Sequence, residues 1–266
     1  MSSAALTRHH AHMSGQGRPL LVFSHGFGCD RHIWRDVAPT FEATHRVLVF
    51  NHAGCGESLA AWDEHRHASL QGYVDDLLDI IDEVDAGPVV AVGHSVGSVI
   101  ALLASVAQPQ RFAQLVLLAP SPRFLDDPPD YVGGFGAADL DGLFQLMESN
   151  HYGWARLLAP LAMGEDNPVA LTRQFEDALC ALEPRITRHF ARLAFHVDIR
   201  DQLPRVTVPS TIVQCTHDSI APRAVGQWMH RHLPGSTLHE LVASGHCPHV
   251  SHAAATIGLI RGAIDG

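Results

Sequence analysis

The sequence has few basic residues and no block of them. Its 18 arginines and lysines are outnumbered by 28 aspartates and glutamates, and the formal net charge is −10 with histidine neutral. A protein that binds mainly nucleic acid or an anionic membrane surface needs a basic patch. The charge balance therefore excludes these as main partners and favours a small organic ligand.

Long hydrophobic runs and paired cysteines are also missing. No apolar stretch approaches the roughly 18 residues of a membrane-spanning helix, and residues 1–17 lack the charged and apolar regions of a secretory signal. The five cysteines are odd in number, widely spaced and without a CxxC pair, so we expect free thiols. With 46% hydrophobic and 17% charged residues, the chain is predicted to be compact and cytoplasmic.

Short apolar runs rich in Val, Leu and Ile are typical of buried strands. They cover residues 18–26, 45–54, 88–95, 113–121 and 210–218. Because they do not alternate apolar with polar residues, they suit strands of a parallel sheet that helices cover on both faces. Helical periodicity between them, as at 70–81 and 96–106, completes a strand–helix alternation. This pattern predicts an α/β fold.

The segment from 122 to about 198 has no strand pattern. Helical patterns occur instead at 140–147, 154–161, 171–182 and 186–193. Apolar stripes on such helices usually pack against each other and the core. An all-helical insertion in a parallel sheet can also cover the carboxyl ends of the strands, where ligands bind. We predict a four-helix lid, residues 122–198, inserted after the fifth strand–helix unit, between core segments 1–121 and 199–266.

One motif points to chemistry. Residues 93–97 read Gly-His-Ser-Val-Gly, and this Gly-x-Ser-x-Gly pattern follows a strand pattern and opens a helix pattern. A chance match is expected on the order of once in ten chains of this length. The strand-to-helix position, however, is that of a nucleophile elbow, where flanking glycines permit a tight turn. Ser95 is therefore the predicted nucleophile, with a plain helix N-cap as the alternative.

A serine hydroxyl needs a base, and the base needs an acid to orient it, in the chain order Ser, acid, His. Asp218 directly follows the last strand run, and His246 lies in a loop before the final helical stretch. These two are the predicted acid and base. Weaker candidates are Asp198 and Asp201, at the end of the helical insertion, and His249 and His252, at the helix start.

An acyl-transfer intermediate also needs two backbone N–H donors for its oxyanion. The predicted donors are Val96, just after the nucleophile, and Phe27 in the glycine-containing loop after an early strand, where a simple glycine turn is the alternative. Cys29 and Cys247 lie beside this predicted site. Although there are 20 histidines, none forms an H-E-x-x-H pattern. We expect neither a metal nor a cofactor.

Five segments resemble a known family: "HGFGCDRHIW", "GHSVGS", "PSPRFLDDPPDYVGGF", "IAP" after Asp218, and "GHCPHVSH". They are similar to the RsbQ-type branch of the α/β-hydrolase fold, which groups a bacterial regulator of the general stress response with plant strigolactone and karrikin receptors. The resemblance covers about Leu20 to the C-terminus. It implies a Ser95–Asp218–His246 triad and oxyanion donors at Phe27 and Val96. It also implies pocket walls, which are Phe124, Phe135, Trp154 and Phe195.

The chain departs from that pattern at two places. Asn51 stands where hydrolases of this fold commonly carry Asp, and the segment before Leu20 has room for at most one leading strand. The serine at the elbow disfavours enzymes with an aspartate nucleophile, such as dehalogenases and epoxide hydrolases. The prediction is a serine carboxylesterase or lactonase for a small, largely apolar ester. The alternative is a slow-turnover ligand sensor that regulates a partner protein.

Overall fold

A computed structural model describes residues 5–84 and 86–265. Its sheet has seven strands in the order β1-β3-β2-β4-β5-β6-β7. Strand β1 is antiparallel to β3, and the other neighbours pair in parallel. The strands are β1 (His12–Gly15), β2 (Leu20–Ser24), β3 (Arg46–Val49), β4 (Val89–His94), β5 (Phe112–Leu118), β6 (Ser210–His217) and β7 (Ser236–Ser244). The predicted α/β fold with a mostly parallel sheet is confirmed, and β1 is its one leading strand.

Helices flank this sheet. They are α1 (Ala5–Arg8), α2 (Leu70–Val84), α3 (Val96–Ala107), α4 (Ala137–Ser149), α5 (His151–Met163), α6 (Val169–Cys180), α7 (Pro184–Phe195), α8 (Arg223–His232), α9 (Pro248–Ser251) and α10 (Ala253–Asp265). The helical periods predicted from sequence correspond to α2 through α7. No helix within 5–84 and 86–265 is long and apolar enough to cross a bilayer.

The central strands are buried on both faces. Every residue of β2 is buried, and Leu20 and Val22 pack into one hydrophobic core while Leu21 and Phe23 pack into the other. The first core includes the apolar faces of α2 and α3, and the second includes Ile260 of α10. Two-sided burial explains why these strands appear as continuous apolar runs, since neither face meets water.

Strand β7 was absent from the sequence-based prediction. It is the edge strand beyond β6, and most of its residues are exposed or half-buried. Its sequence mixes Thr237, His239 and Glu240 with apolar residues. A half-solvated edge strand does not produce a continuous apolar run, so that criterion could not find it.

The segment between β5 and β6 holds the four helices α4 to α7. Its two connections to the sheet lie side by side: Pro122 O accepts a hydrogen bond from Ile199 N at 2.9 Å, and Arg123 Nη1 lies 2.6 Å from Asp198 Oδ2. Burial alone raises the pKa of Asp198, but hydrogen bonds from Arg200 and Arg123 outweigh it and lower the value to about 2. Asp198 thus has a structural use at the base of the helical segment.

Candidate active site

Ser95 is the single residue between the end of β4 and the start of α3. Its backbone has φ 54° and ψ −121°, a region that residues other than glycine rarely adopt. The neighbouring glycines are sterically required: a Cβ on Gly97 would lie 2.3 Å from Ser24 O, and one on Gly93 would lie 2.5 Å from Ser98 Cα. This turn presents the Ser95 hydroxyl at the carboxyl edge of the sheet and the N-terminus of a helix.

Asp218 and His246 are brought together from two loops on the same edge. Asp218 follows β6, and its Oδ2 lies 2.8 Å from His246 Nδ1. Its other oxygen accepts hydrogen bonds from Ile220 N at 2.8 Å and Ala221 N at 3.0 Å. Because a carboxylate can only accept, Nδ1 of His246 carries the proton, which leaves Nε2 free to take another.

A small cavity connects the serine with the histidine. Ser95 and His246 both line it, and they are only 6% and 5% exposed. His246 Nε2 is buried and has no hydrogen-bond partner within the described residues. The cavity volume is about 30 Å³, well below the roughly 300 Å³ at which ligand sites usually begin. An unpaired basic nitrogen therefore shares a very small chamber with a hydroxyl.

Two backbone amides are candidate oxyanion donors, and one of them belongs to a residue that lines this cavity. Val96 is the first residue of α3, and Phe27 lies in the turn after β2 and lines the cavity. Neither N–H donates a hydrogen bond to another group of residues 5–84 and 86–265. Backbone donors without an internal acceptor can stabilise a developing negative charge.

The aromatic residues implied by the family resemblance occupy two layers. Phe124 and Phe195 line the cavity. Phe135 packs behind them, with its ring 5.7 Å from that of Phe195, and Trp154 packs behind Phe27 at 6.0 Å. Sequence reasoning did not identify six further lining residues, which are His94, Leu158, Ala162, Phe175, Ala194 and Ile220.

The weaker acid and base candidates are used elsewhere. Asp201 is exposed beside the base of the helical segment. His249 is fully buried, with its ring 4.5 Å from Trp34 and 4.3 Å from His94. Burial is the main reason that its pKa falls to about 3, so it stays neutral near pH 7. His252 Nδ1 lies 2.9 Å from Ser251 Oγ. The backbone N–H of His252 donates to Pro248 O and so caps the short helix α9.

The cysteines near the site are neutral thiols. Burial raises the pKa of Cys29 and of Cys247 far above the ordinary range, and a protonated thiol is a weak nucleophile. Cys29 Sγ–H donates to Phe27 O at 3.6 Å, and Cys247 lines the cavity. All five cysteines are free.

Asn51 connects two loops. Its Oδ1 accepts from Arg31 N at 2.7 Å, and its Nδ2 donates to Glu57 Oε2 at 2.7 Å. Glu57 accepts hydrogen bonds from its own backbone N–H and from the Asn51 side chain, and these lower its pKa to about 2. An aspartate at position 51 would place a second carboxylate against Glu57, so the amide suits this chain.

The His246 loop is fastened to the helical segment. His246 N donates to Ala162 O at 2.7 Å, a carbonyl in the last turn of α5. Asn167 Nδ2 bridges Met163 O at 2.6 Å and Ser244 O at 2.8 Å. The final carbonyls of a helix lack partners within the helix, and here they hold the loop that carries the imidazole.

The many histidines are dispersed among hydrogen bonds and aromatic contacts. No group of three or more His, Cys, Asp or Glu side chains in the described part of the chain could hold a metal ion. A buried example is His67, whose Nε2 lies 2.8 Å from Asp76 Oδ2. Burial raises the pKa of Asp76, but hydrogen bonds from His67 and His9 reverse this and lower it below its ordinary value.

Comparison with known proteins gives the family. The chain is 36% identical over 253 residues to a strigolactone esterase of Pisum sativum, covering 94% of this chain and 94% of that protein. It is 35% identical to "Karrikin insensitive 2 receptor CA" of Petunia hybrida, covering 91% and 90%. The solved structure of a hydrolase from Oleispira antarctica matches with a TM-score of 0.96 and 36% identity, covering 98% and 96%.

The family profile that matches is described as "Alpha/beta hydrolase family" and spans residues 21–259. This span includes the elbow, both loops of the cavity and all four inserted helices. The resemblance predicted from the sequence is confirmed, and with it a hydrolase fold related to esterases and receptors. The chain belongs to the alpha/beta hydrolase family.

Proposed function

We propose that this hydrolase is a serine carboxylic-ester hydrolase, an esterase or lactonase, that cleaves a small, largely apolar ester through an acyl-enzyme. One observation carries the proposal. His246 is held by Asp218 at 2.8 Å through Nδ1, while its unpartnered Nε2 shares a cavity with Ser95. The acid and base are already in the relation that a triad needs, and the hydrogen bond from Ser95 Oγ to His246 Nε2, which the described structure does not make, is proposed to form when substrate binds.

In the acylation step, Ser95 Oγ attacks the carbonyl carbon of the ester while His246 Nε2 takes the hydroxyl proton. The carbonyl oxygen becomes an oxyanion that accepts hydrogen bonds from the N–H groups of Phe27 and Val96. Collapse of this intermediate breaks the ester C–O bond. The alcohol leaves with the proton from His246, and the acyl group stays on Ser95. Asp218 stabilises the transient imidazolium.

In the deacylation step, a water molecule gives a proton to His246 Nε2 and attacks the acyl carbon. Collapse releases the carboxylic acid and returns the proton to Ser95. We also propose that residues 122–198 act as a lid over this reaction. Ala162 at the end of α5, and Phe195 at the end of α7, line the chamber. Exclusion of water there strengthens the hydrogen bonds to the oxyanion.

Covalent labelling tests the proposal. A fluorophosphonate should add one mass equivalent to the wild-type protein, and Ser95→Ala should abolish this label. The same substitution should lower the rate of p-nitrophenyl acetate hydrolysis at least 10³-fold. Ser98→Ala is the matched control. Ser98 is buried one turn further along α3, and its hydroxyl has no hydrogen-bond partner in the described chain. Labelling that survives in Ser95→Ala would overturn the assignment.

A slow ligand sensor is the second candidate. It is favoured by the receptor relative from Petunia hybrida and by the small volume of the chamber, about 30 Å³, which leaves little room for turnover of a substrate. A sensor should release about one equivalent of p-nitrophenol from p-nitrophenyl acetate and then nearly stop. An esterase should turn over many times per molecule, in the usual range of roughly 1 to 1000 per second. The shape of one progress curve separates the two.

We propose a cytoplasmic location and a small-molecule substrate. Five free cysteines, four of them buried, suit a reducing compartment. The formal charge of −10 disfavours nucleic acid and anionic membranes as partners. A protein partner belongs only to the sensor alternative.

A further inference from the structure

A second, larger cavity lies beside the catalytic chamber. Its volume is about 300 Å³, ten times that of the chamber. It is a groove between α6 with the turn that follows it and the loops after β2 and β3. Its principal lining residues are Gly28, Ile33, Leu59, Leu171, Phe175 and Ala178.

Phe175 separates the two spaces. Its side chain lines both the groove and the chamber of Ser95, and the residue is 7% exposed. A Cβ at Gly28, in the loop after β2, would lie 3.5 Å from Phe175 Cζ and 2.5 Å from Leu179 Cδ2, so both side chains of α6 pack against this loop. Phe175 is the residue that the linings of the groove and the chamber share, so the two spaces adjoin at its side chain.

The chamber by itself is too small for an ester. Its volume is about 30 Å³, whereas ligand sites in proteins usually have volumes of about 300–1,000 Å³. The groove, at about 300 Å³, reaches the lower end of that range. The larger part of any substrate that reaches Ser95 must therefore lie outside the chamber.

The charged residues of the groove already have partners. Arg35 donates to Gln174 Oε1 at 3.3 Å and pairs with Asp36 at 3.6 Å. Asp30 accepts from His32 N at 2.8 Å, and Glu183 accepts from Ile186 N at 2.6 Å. Between them the walls are aliphatic, from Ile33, Leu59, Leu171 and Leu182. These aliphatic walls suit an apolar, uncharged group.

We propose that this groove is a substrate subsite. Phe175 swings aside, and the longer arm of the ester, an uncharged apolar group of about six to ten carbons, lies along α6 while its carbonyl reaches Ser95. The inference rests on the proposed esterase function and specifies its substrate class. The shorter arm stays in the small chamber.

Chain-length preference tests the subsite. If the acyl arm occupies the groove, wild type should have a higher kcat/KM for p-nitrophenyl hexanoate than for p-nitrophenyl acetate. If the alcohol arm occupies it, kcat/KM should be higher for hexyl acetate than for ethyl acetate. Ala178→Trp fills the groove from an exposed position, and it should lower the long-to-short ratio at least tenfold. Ala170→Trp is the control, because Ala170 is exposed on the same helix and lines neither cavity; its ratio should stay within twofold.

The result does not depend on turnover. In Ser95→Ala, calorimetry with hexyl acetate should detect binding that Ala178→Trp weakens at least tenfold and Ala170→Trp leaves unchanged. An Ala178→Trp ratio equal to wild type in both ester series overturns the subsite. Absence of hydrolysis and of Ser95 labelling overturns the esterase instead. In that case the calorimetry alone decides the subsite, and no binding to Ser95→Ala overturns it.

Discussion

Ser95 has a backbone conformation that costs energy. At φ 54°, a residue with a Cβ is strained by about 1–3 kcal/mol. The strain is maintained by the sheet before it and the helix after it: Ser95 N donates to Leu118 O at 2.9 Å, and Ser95 O accepts from Ser98 N at 2.9 Å. Ser95 is thus presented to the cavity at the expense of stability.

A comparison of two substitutions tests this strain. Ser95→Gly should be more stable than Ser95→Ala by about 1 kcal/mol, because relief of strain exceeds the extra backbone entropy of glycine. At Ser98, inside α3, the order should reverse, with glycine less stable than alanine by about 1 kcal/mol. Urea unfolding of the four variants measures both differences. If the alanine variant is the more stable one at both positions, Ser95 is unstrained.

Ser95, Asp218 and His246 could be selected from the sequence because they follow a motif, a strand end and a loop in a fixed order. The structure places His246 beside Asp218 and in one cavity with Ser95, and their catalytic roles stay a prediction. The cavity walls could not be predicted in this way. Phe175 and Leu158 come from different helices, and which face of each helix meets the cavity depends on packing that no local pattern encodes.

Among the elements, helices and central strands were predictable because their burial produces a period. The amphipathic stripes of α2 to α7 and the continuous apolar runs of β2 and β4 are visible in the sequence. Strand β7 was missed because it is a half-exposed edge strand. The bonds between elements were equally invisible, since Asn167 and Ser244 are 77 residues apart in sequence.

Those bonds give a prediction for the end of α5. Asn167→Ala removes two hydrogen bonds that join Met163 to Ser244, two residues before His246. We expect a stability loss of about 1–2 kcal/mol and a several-fold lower kcat with little change in KM, because the imidazole is less well held. Steady-state kinetics with p-nitrophenyl acetate measures both constants.

The other end of α5 supplies the control. Asn150 caps the helix by accepting from Gly153 N at 2.9 Å, so Asn150→Ala should lose about 1 kcal/mol of stability as well. It lies at the end of α5 opposite the His246 loop, and kcat should not change. A similar fall in kcat in both variants would mean that general loosening of the helical segment, and not the anchor at Asn167, is responsible.

At the scale of the whole molecule, buried neutral histidines couple stability to pH. Burial is the main cause that lowers the pKa of His25 to about 4 and of His249 to about 3, and it lowers those of His52 and His94 well below 6.5. In the unfolded chain each regains an ordinary value near 6.5. Between the two values the unfolded state binds more protons, so the free energy of unfolding decreases as pH falls.

We therefore expect stability to be level between about pH 7 and 8 and to fall steeply from about pH 6.5 towards 4, where each such histidine contributes about 1.4 kcal/mol per pH unit. His249→Phe tests one contribution, because neither ring nitrogen has a hydrogen-bond partner in the described chain. Urea unfolding between pH 4.5 and 6 gives the slope of the free energy of unfolding against pH. In the variant this slope should be smaller by about 1.4 kcal/mol per pH unit, which corresponds to about one proton. His239→Gln is the control, because this exposed histidine on β7 is hydrated in both states and should leave the slope unchanged. A slope that His249→Phe does not alter would mean that His249 is already protonated in the folded protein.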